Sequence, residues 1–502
     1  MPIQSRVSLS VTALALVLGV AVAPRASASG FQLRDQSGSG QGNAYAGSSA
    51  GGSDISSMFF NPATLTRFEG NQLQFGLTEI MPDSKFSNGA ASQPNVLPLT
   101  PPVGGTIGGA TTTGNIAPSA TLPTFYALWS VDSDFKLGIS VNVPFGLTTQ
   151  YDPNWAGRYQ AIKTHLQTVD ITPTVAYRMS PQWSMGAAVV ARRASAELTR
   201  ALDLGYVGGN YLAVAAAEQL KTFSNTNGGT PPAPIMGTGT ADGSVDVKGS
   251  SWAYGFKLGL LFEPTPSLHI GLGYQSKVRE TIRGTASFNT GALTANAGAL
   301  IPSNSGAGQL GAAGIVGALD QLAPATANGA ASAVINLPST ISLGIIYDVS
   351  STFSLSAEFS DTKWSSFKEL RVQFGNSAQQ PDSVNTMNWK DAMFMALGAT
   401  CHPGNDWTYR VGVALDKTPV PDGTRSPMIP DADRTWLSAG LGYQFTKSFS
   451  MDAGFTHLIC KDSTVDLQGS STPGTSGYAA GNLSGTYKNS INVLAVSARY
   501  VF

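Results

Sequence analysis

The stretch FKLGISVNV at residues 135–143 decides the fold class of this chain. Its apolar residues occupy every second position, and Lys136, Gly138, Ser140 and Asn142 fill the positions between them. A period of two places the apolar side chains on one face of a β-strand, whereas a helical period of 3.6 would scatter them. The stretch therefore predicts a strand with one apolar face and one small or polar face.

The same alternation recurs along the chain, for example in WTYRVGVAL at 407–415 and LSAGLGYQF at 437–445, where aromatic residues lie toward the ends. We count about fourteen such segments, each near the length of about 9 to 11 residues that a strand needs to cross a membrane. They begin near residues 73, 125, 135, 169, 183, 252, 268, 341, 353, 393, 407, 437, 449 and 494. The pattern predicts an all-β fold, a transmembrane antiparallel β-barrel of about 14 strands.

The connections between these segments are alternately short and long. Tight turns are predicted at residues 132–134, 180–182, 264–267, 349–352, 403–406 and 446–448. The longest connections, around 203–245 and 285–337, are rich in Gly, Ala, Ser, Thr and Asn. In outer-membrane barrels short turns face the periplasm and long loops face outside, so residues 71–502 are expected to form the barrel with long extracellular loops.

Composition agrees with a surface that mostly faces lipid. Only 12% of the 502 residues are charged, about half of the ~25% found in ordinary soluble domains. Lys and Arg number 30 against 31 Asp and Glu, which leaves a net charge of −1 and gives no reason to expect nucleic acid as a partner. Beyond the first thirty residues no apolar run reaches the roughly 18 residues of a membrane-spanning helix, so any crossing must use strands.

The N-terminus has the layout of a secretory signal. Arg6 is followed by an apolar stretch from Val7 to Ala23 and by Ala26-Ser27-Ala28, the small residues of a cleavage site. A membrane-anchor helix is the alternative, but the stretch is short and Pro24 and Arg25 interrupt it. We predict that residues 1–28 are a signal peptide.

Residues 29–70 differ from both neighbouring regions. They are rich in Gly and Ser, yet they include the large apolar residues Met58, Phe59, Phe60 and Leu65. The segment is too polar to span a membrane and too apolar to remain in water. It is predicted to be a plug, or hatch, with short helices inside the barrel lumen.

Motifs at both ends of the mature chain resemble the FadL family of outer-membrane long-chain fatty acid transporters. At the N-terminal end these are GFQL at 30–33, GNAYAG at 42–47 and the hatch motif Asn61-Pro62-Ala63. Near the C-terminus they are PVP at 419–421, Arg425, IPD at 429–431, DR at 433–434 and WLSAG at 436–440. More loosely, the resemblance extends over the whole mature chain.

The resemblance implies a fourteen-stranded barrel blocked by the hatch. A ligand would be captured outside, passed to an inner pocket and released sideways through a gap beside a kinked strand. The family meets the fatty acid carboxylate with basic side chains, which by local similarity correspond to Arg200 and Arg371. Phe31 is the third residue expected to contact the ligand. The alternative for each arginine is a solvated charge at the outer end of a strand.

Pro144-Phe145-Gly146, directly after the 135–143 strand, is the candidate for the kink and lateral opening. Proline removes a donor from the strand ladder and glycine permits a bulge. An ordinary start of a loop would leave the same residues here, and the sequence does not separate these two interpretations.

The expected function is outer-membrane transport of long-chain fatty acids or similar hydrophobic molecules in a Gram-negative cell. Uptake of neutral aromatic or alkane hydrocarbons, which would need no basic clamp, is the alternative. The expected partners are this small-molecule ligand, outer-membrane lipid and lipopolysaccharide, and the protein is expected to be a monomer.

Enzymatic function has little support in the sequence. GSSAG at 47–51 fits the pattern of a hydrolase nucleophile formally, but no buried strand precedes it. The four histidines lack the spacing of metal ligands. We therefore expect no catalytic residue, no metal and no cofactor, and a barrel lipase or a passive structural barrel remain the alternatives from other classes.

Overall fold

The computed structural model describes residues 30–94, 104–207, 238–239, 241–291, 324–378, 380–472 and 475–502. The predicted signal peptide and the central parts of the two longest predicted loops lie outside these ranges. Within the described residues, no helix is both long and apolar enough to cross a membrane.

Fourteen long strands build the wall of the molecule. They are β1 (Gln72–Gln93), β2 (Ala120–Ser130), β3 (Phe135–Asn142), β4 (Lys163–Ser180), β5 (Trp183–Asp203), β6 (Asp242–Thr265), β7 (Leu268–Gln275), β8 (Thr340–Ser350), β9 (Phe353–Thr362), β10 (Ala392–Cys401), β11 (Trp407–Asp416), β12 (Arg434–Gln444), β13 (Phe449–Cys460) and β14 (Asn482–Val501). Further strands lie at Gly105–Thr106, Gly146–Gln150, Val278–Asn289, Gly329–Leu337, Glu369–Phe374, Ser383–Thr386 and Ser463–Leu467.

Each wall strand pairs antiparallel with the next, and β14 returns to β1 to close the sheet. The closing pair runs from Gln72 opposite Val501 to Ser92 opposite Asn482. Closure pairs the wall strands on both sides over most of their length, and an unpaired backbone group in the membrane would cost several kcal/mol. The predicted fourteen-stranded antiparallel barrel is confirmed.

The predicted starts differ most for strands that begin at the end of the barrel carrying the long loops. β4, β6 and β14 begin at residues 163, 242 and 482, whereas alternation predicted 169, 252 and 494. These extra residues lie beyond the lipid-facing part of the wall, where water replaces lipid and the apolar alternation is lost. The loss of apolar alternation outside the lipid therefore explains why the predicted starts of these strands are too late in the chain.

The short connections, at residues 131–134, 181–182, 266–267, 351–352, 402–406 and 445–448, all lie at one end of the barrel. Apolar side chains face outward, as on β11, where Tyr409, Val411 and Val413 are exposed while Arg410 and Gly412 are buried. A continuous outward apolar band on a closed barrel is the surface of an outer-membrane protein.

The hatch fills the lumen. Its helix α1 spans Gly38–Gly42 and is capped by Ser37, whose side chain accepts from the Gly40 N–H. Three short 3-10 helices follow, at Ser48–Ala50, Ile55–Phe59 and Pro62–Arg67, and nearly all their residues are buried. The expected plug with short helices is confirmed as part of the fold.

Lumen-facing glycines let the hatch backbone lie directly on the wall. A Cβ atom at Gly271 would lie 1.8 Å from the Ser49 carbonyl oxygen, and one at Gly440 would lie 2.6 Å from the Cα of Gly42. Real Cβ contacts essentially never fall below 3.0 Å. Any side chain at these positions would push the hatch away from the wall.

The first prediction compares two neighbours on β12 that face opposite sides. Gly440→Val places a side chain against Gly42, so we expect overpacking to lower the free energy of unfolding by about 1 to 3 kcal/mol. Ala439→Val adds bulk on the lipid face and should change it by less than about 0.5 kcal/mol. Urea unfolding in lipid vesicles measures both, and equal losses in the two variants would contradict the close fit of the hatch.

Candidate functional site: a chain of cavities beside an interrupted strand

The ladder of β3 is interrupted at the predicted kink. The last pair of β3 with β4 joins Asn142 and Asp170, and pairing resumes with Gly146 opposite Gln167. Three residues, 143–145, thus lie opposite two, 168–169, which is the arrangement of a β-bulge. Pro144 has no N–H to donate to a ladder, so the interruption falls where the backbone can best tolerate it.

The interruption opens a gap between β2 and the chain that follows β3. The β2–β3 pairing ends with Phe125 opposite Val141, while β2 continues to Ala120, paired only with β1. The backbone edge of residues 120–124 that faces away from β1 forms no strand pairing with any residue in the described part of the chain. Farther out the wall closes again, where the Gln150 N–H donates to the Ile116 carbonyl at 2.7 Å.

The first residues of the hatch lie against the interruption. The Leu33 N–H donates to the Pro144 carbonyl at 2.8 Å, and the Gly146 N–H donates to the Phe31 carbonyl at 3.1 Å. The Phe31 ring is 4% exposed and contacts an aromatic cluster. Its centroid lies 4.7 Å from Trp364, 5.6 Å from Trp389, 5.9 Å from Phe145 and 6.3 Å from Phe367.

Three adjoining cavities connect the outer loops with the gap. The outer cavity is lined by Arg200, Leu202, Asp203 and Asp382 among others. The apolar cavity shares Thr164, Leu198, Val247 and Val372 with the outer cavity. The gap cavity lies beside residues 118–122 and 146–149, and it shares Phe31, Leu147, His165, Leu166 and Ile429 with the apolar cavity.

Arg200 lies on the outer part of β5, beyond the lipid-facing residues, and lines the outer cavity. Among the residues that the structure describes, no carboxylate lies within 4.0 Å of it, and burial lowers the pKa of its guanidinium. The acids of this cavity have other partners. Asp203 accepts from the Tyr206 and Gly239 N–H groups, and Asp382 accepts from Arg371.

Arg371 does not line any of these three cavities. Its guanidinium donates to Glu369 at 2.7 Å and to Asp382 at 3.0 Å, and the Glu369 carboxylate is the main cause that raises its pKa. The neighbouring side chains of Leu370 and Val372 face the apolar cavity instead. Arg371 would have to leave both carboxylates to bind a ligand in the apolar cavity. The structure therefore does not bring Arg200 and Arg371 together in one binding site.

Comparison with known proteins decides the family. A sequence model described as "Outer membrane protein transport protein (OMPP1/FadL/TodX)" matches residues 19–502. The "Long-chain fatty acid transport protein" of Escherichia coli O6:H1 is 31% identical over 430 residues, 85% of this chain and 86% of that protein. The chain belongs to this FadL/TodX family.

Solved structures of the FadL/TodX family share the fold. A Pseudomonas aeruginosa FadL homologue has a TM-score of 0.76 at 24% identity and covers 94% of this chain and 100% of its own. The Ralstonia pickettii toluene transporter TbuX has a TM-score of 0.58 at 19% identity and covers 95% of this chain and 98% of its own. The chain is thus an outer-membrane β-barrel of a transport family.

The hatch motif Asn61-Pro62-Ala63 lies at the contact between hatch and wall. The Asn61 side chain donates to the Ser49 carbonyl at 2.7 Å and to the Leu260 carbonyl of β6 at 2.9 Å, and its oxygen accepts from the Ala63 N–H. Pro62 starts the last 3-10 helix, where a missing N–H costs nothing. In this FadL/TodX protein the motif joins two parts of the hatch to the barrel.

A buried ion pair beside the kink was not predicted from the sequence. The Arg192 guanidinium donates two hydrogen bonds to Asp170, at 2.6 and 2.7 Å, and lies 4.9 Å from the centroid of Phe145. Arg192 is 0% exposed. Asp170 and Arg192 both occupy inward positions of the strand alternation and lie opposite each other in register. The alternation alone could therefore have predicted the pair.

Ser49, the central residue of the GSSAG pattern, anchors the hatch. Its hydroxyl donates to Glu358 at 2.5 Å and lies 2.8 Å from the Ser342 hydroxyl, while its N–H donates to the other oxygen of Glu358 at 3.1 Å. The side chain is fully buried between hatch and wall. These contacts make Ser49 part of the joint between hatch and wall.

The second prediction concerns this ion pair. Asp170→Asn leaves the Arg192 charge buried without its counter-ion, so we expect the free energy of unfolding to fall by about 3 to 5 kcal/mol. The matched control, Lys85→Gln, removes the exposed pair with Asp83 and should cost less than about 1 kcal/mol. Urea unfolding in vesicles compares them, and an Asp170→Asn loss as small as the control would show that the pair does not hold the kink region.

Proposed function

We propose that this FadL/TodX family member takes up long-chain fatty acids or similar amphiphiles through the outer membrane. The observation that carries this proposal is Arg200, a partly buried cation with no carboxylate within 4.0 Å among the described residues, in a cavity that adjoins an apolar one. A fatty acid carries both a carboxylate and an apolar tail. The similarity to curated long-chain fatty acid transport proteins supports the same ligand class.

The ligand carboxylate is proposed to bind Arg200, because a guanidinium can hold a carboxylate with two parallel hydrogen bonds. The tail then lies in the apolar cavity, lined by Leu166, Leu198, Ile282 and Ile335, and ends near Phe31. Arg371 remains with its two carboxylates in this arrangement and holds the strand Glu369–Phe374 in place.

Release is proposed to occur sideways, through the gap beside Pro144-Phe145-Gly146. Returning a tail of about sixteen carbons to water would cost on the order of 10 kcal/mol, at ~0.8 kcal/mol per CH₂. A route into the lipid avoids this cost. The hatch occupies the lumen below, and the interrupted ladder provides an opening in the wall without breaking an existing strand pair.

Uptake of neutral aromatic or alkane hydrocarbons is the second candidate. The apolar cavity favours it, because apolar residues predominate in its lining and a neutral ligand would need no basic clamp. The family also includes the toluene transporters TodX and TbuX. The two candidates differ in whether the charge of Arg200 contributes to binding.

Further parts of the proposal concern processing and surroundings. Residues 1–28 are proposed to be removed as a signal peptide, which leaves the hatch at 29–70 and the barrel at 71–502. The mature protein is proposed to work as a monomer surrounded by outer-membrane lipid and lipopolysaccharide. Mass spectrometry of the protein isolated from outer membranes tests the cleavage site after Ala28.

The third prediction separates the two ligand classes. Arg200→Gln should weaken binding of oleate by about 1.5 to 3 kcal/mol, roughly tenfold to a hundredfold, because one charged hydrogen-bonding partner is lost. Binding of methyl oleate should not change. Isothermal titration of the purified barrel measures both ligands.

Lys488→Gln is the control, since it removes one positive charge at an exposed position that lines none of the three cavities, and it should leave oleate binding unchanged. Equal binding of oleate by the wild type and Arg200→Gln, together with equal binding of the ester, would favour the neutral-hydrocarbon function.

The fourth prediction tests lateral release. A side chain at Gly146 meets Leu33 at 2.9 Å and otherwise extends into the gap cavity, so Gly146→Leu should narrow the gap. We expect oleate uptake by cells to fall severalfold while the affinity of the purified barrel for oleate stays within about twofold, because binding occurs before release.

Gly114→Leu is the control, because Gly114 is exposed and a Cβ there meets nothing within 4 Å. Normal uptake by the Gly146→Leu variant would contradict release at this gap.

A further inference from the structure

The outer surface of the wall carries three exposed arginines on two strands that flank β6. Arg193 lies on β5, and Arg279 and Arg283 lie on the strand Val278–Asn289, which pairs with the outer part of β6. All three alternate with buried inward residues, such as Ile282, and their own side chains are exposed. They therefore point away from the lumen.

Arg193 and Arg283 lie at the upper edge of the lipid-facing surface, and Arg279 lies four residues nearer the membrane on the same strand as Arg283. Trp252, Tyr254 and Phe256 on β6 are 51%, 73% and 46% exposed and form the outermost apolar residues on the outward face of that strand. Arg193 pairs in register with Trp252, and its guanidinium lies 5.9 Å from the indole centroid. Arg283 lies opposite Ser250, one step above Trp252 on the same face. Such a site is at the level of lipid headgroups.

The three charges are not neutralised by the protein. Among the described residues no carboxylate lies within 4.0 Å of Arg193, Arg279 or Arg283, whereas some other exposed cations, such as Lys363 with Asp361, are paired. Two outward acids on the outer parts of β5 and β6 already have partners. Glu197 binds Lys163 at 2.7 Å and Lys248 at 3.3 Å, and Asp246 binds Lys248 at 2.7 Å.

We propose that Arg193, Arg279 and Arg283 bind the phosphate groups of a lipopolysaccharide molecule in the outer leaflet. Guanidinium groups hold phosphate oxygens in bidentate fashion, and juxtamembrane clusters of arginine are a general means of recognising phosphorylated lipids. The acyl chains of the same molecule pack on Trp252, Tyr254 and Phe256. A free phosphate would lack this apolar contact, so the lipid is the occupant that both halves of the surface fit.

This lipid site would support the ligand site from outside. The same strands that carry the arginines and aromatic rings turn Leu198, Val247 and Ile282 inward, where they line the apolar cavity. A bound lipid therefore fixes the outer extension of the wall just behind that cavity. The inference rests on the proposed contact with lipopolysaccharide and does not depend on which ligand is transported.

The fifth prediction uses the purified full-length mature barrel in detergent and lipid A as the probe. The triple variant R193Q/R279Q/R283Q should bind bisphosphorylated lipid A about tenfold or more weakly than the wild type, because charged hydrogen bonds to phosphate are lost. The wild type should also prefer bisphosphorylated lipid A to its dephosphorylated form. Native mass spectrometry counts the bound lipid, and microscale thermophoresis gives the affinity.

The control variant K85Q/K461Q/K488Q removes the same charge from the opposite side of the barrel, where all three lysines are exposed, and should bind lipid A like the wild type. Oleate titration of each variant checks that the barrel is folded and keeps this test separate from that of the transported ligand. Equal lipid A binding by the triple variant and the control would overturn the proposal. Displacement of the lipid by an equal concentration of free pyrophosphate would also overturn it, since the site would then recognise anions alone.

Discussion

The contact between the hatch backbone and the lumen-facing glycines is the constraint on which the rest of this structure depends. At Gly271 and Gly440 the hatch lies so close to the wall that no side chain fits between them. Polar side chains of the hatch form hydrogen bonds to the wall, as Asn61 does to the Leu260 carbonyl. Because the hatch fills the lumen in this way, the apolar space left for a ligand lies above the hatch and beside the interrupted β3 ladder.

Much of this fold could be predicted from the sequence, because a strand between lipid and a polar lumen must alternate. Stretches such as 135–143 and 407–415 carry that alternation and proved to be strands that begin where it begins. The outer parts of β4, β6 and β14 could not be predicted in the same way. They extend above the membrane, where water faces their outward side and apolar alternation is no longer required.

The candidate site could be predicted only in part. Proline and glycine chemistry indicated the interruption at Pro144 and Gly146, since both effects are local to the backbone. The roles of Arg200 and Arg371 depend on which carboxylates lie near each guanidinium. Local sequence similarity does not show these neighbours, so it predicted the same role for both arginines. Glu369 and Asp382 hold the Arg371 guanidinium outside the three cavities. Arg200 instead lines the outer cavity.

The central claim is that a ligand is held between Arg200 and the gap in the wall. The most direct test is a crystal structure of the protein with a fatty acid that is brominated at its terminal carbon. The account predicts a carboxylate hydrogen-bonded to Arg200 and an anomalous bromine peak in the apolar cavity or the gap cavity. A polar cavity lies beneath the hatch, beside Arg67, His402 and Arg499. A bromine peak in that cavity would contradict the account and would mean that the ligand passes through the hatch.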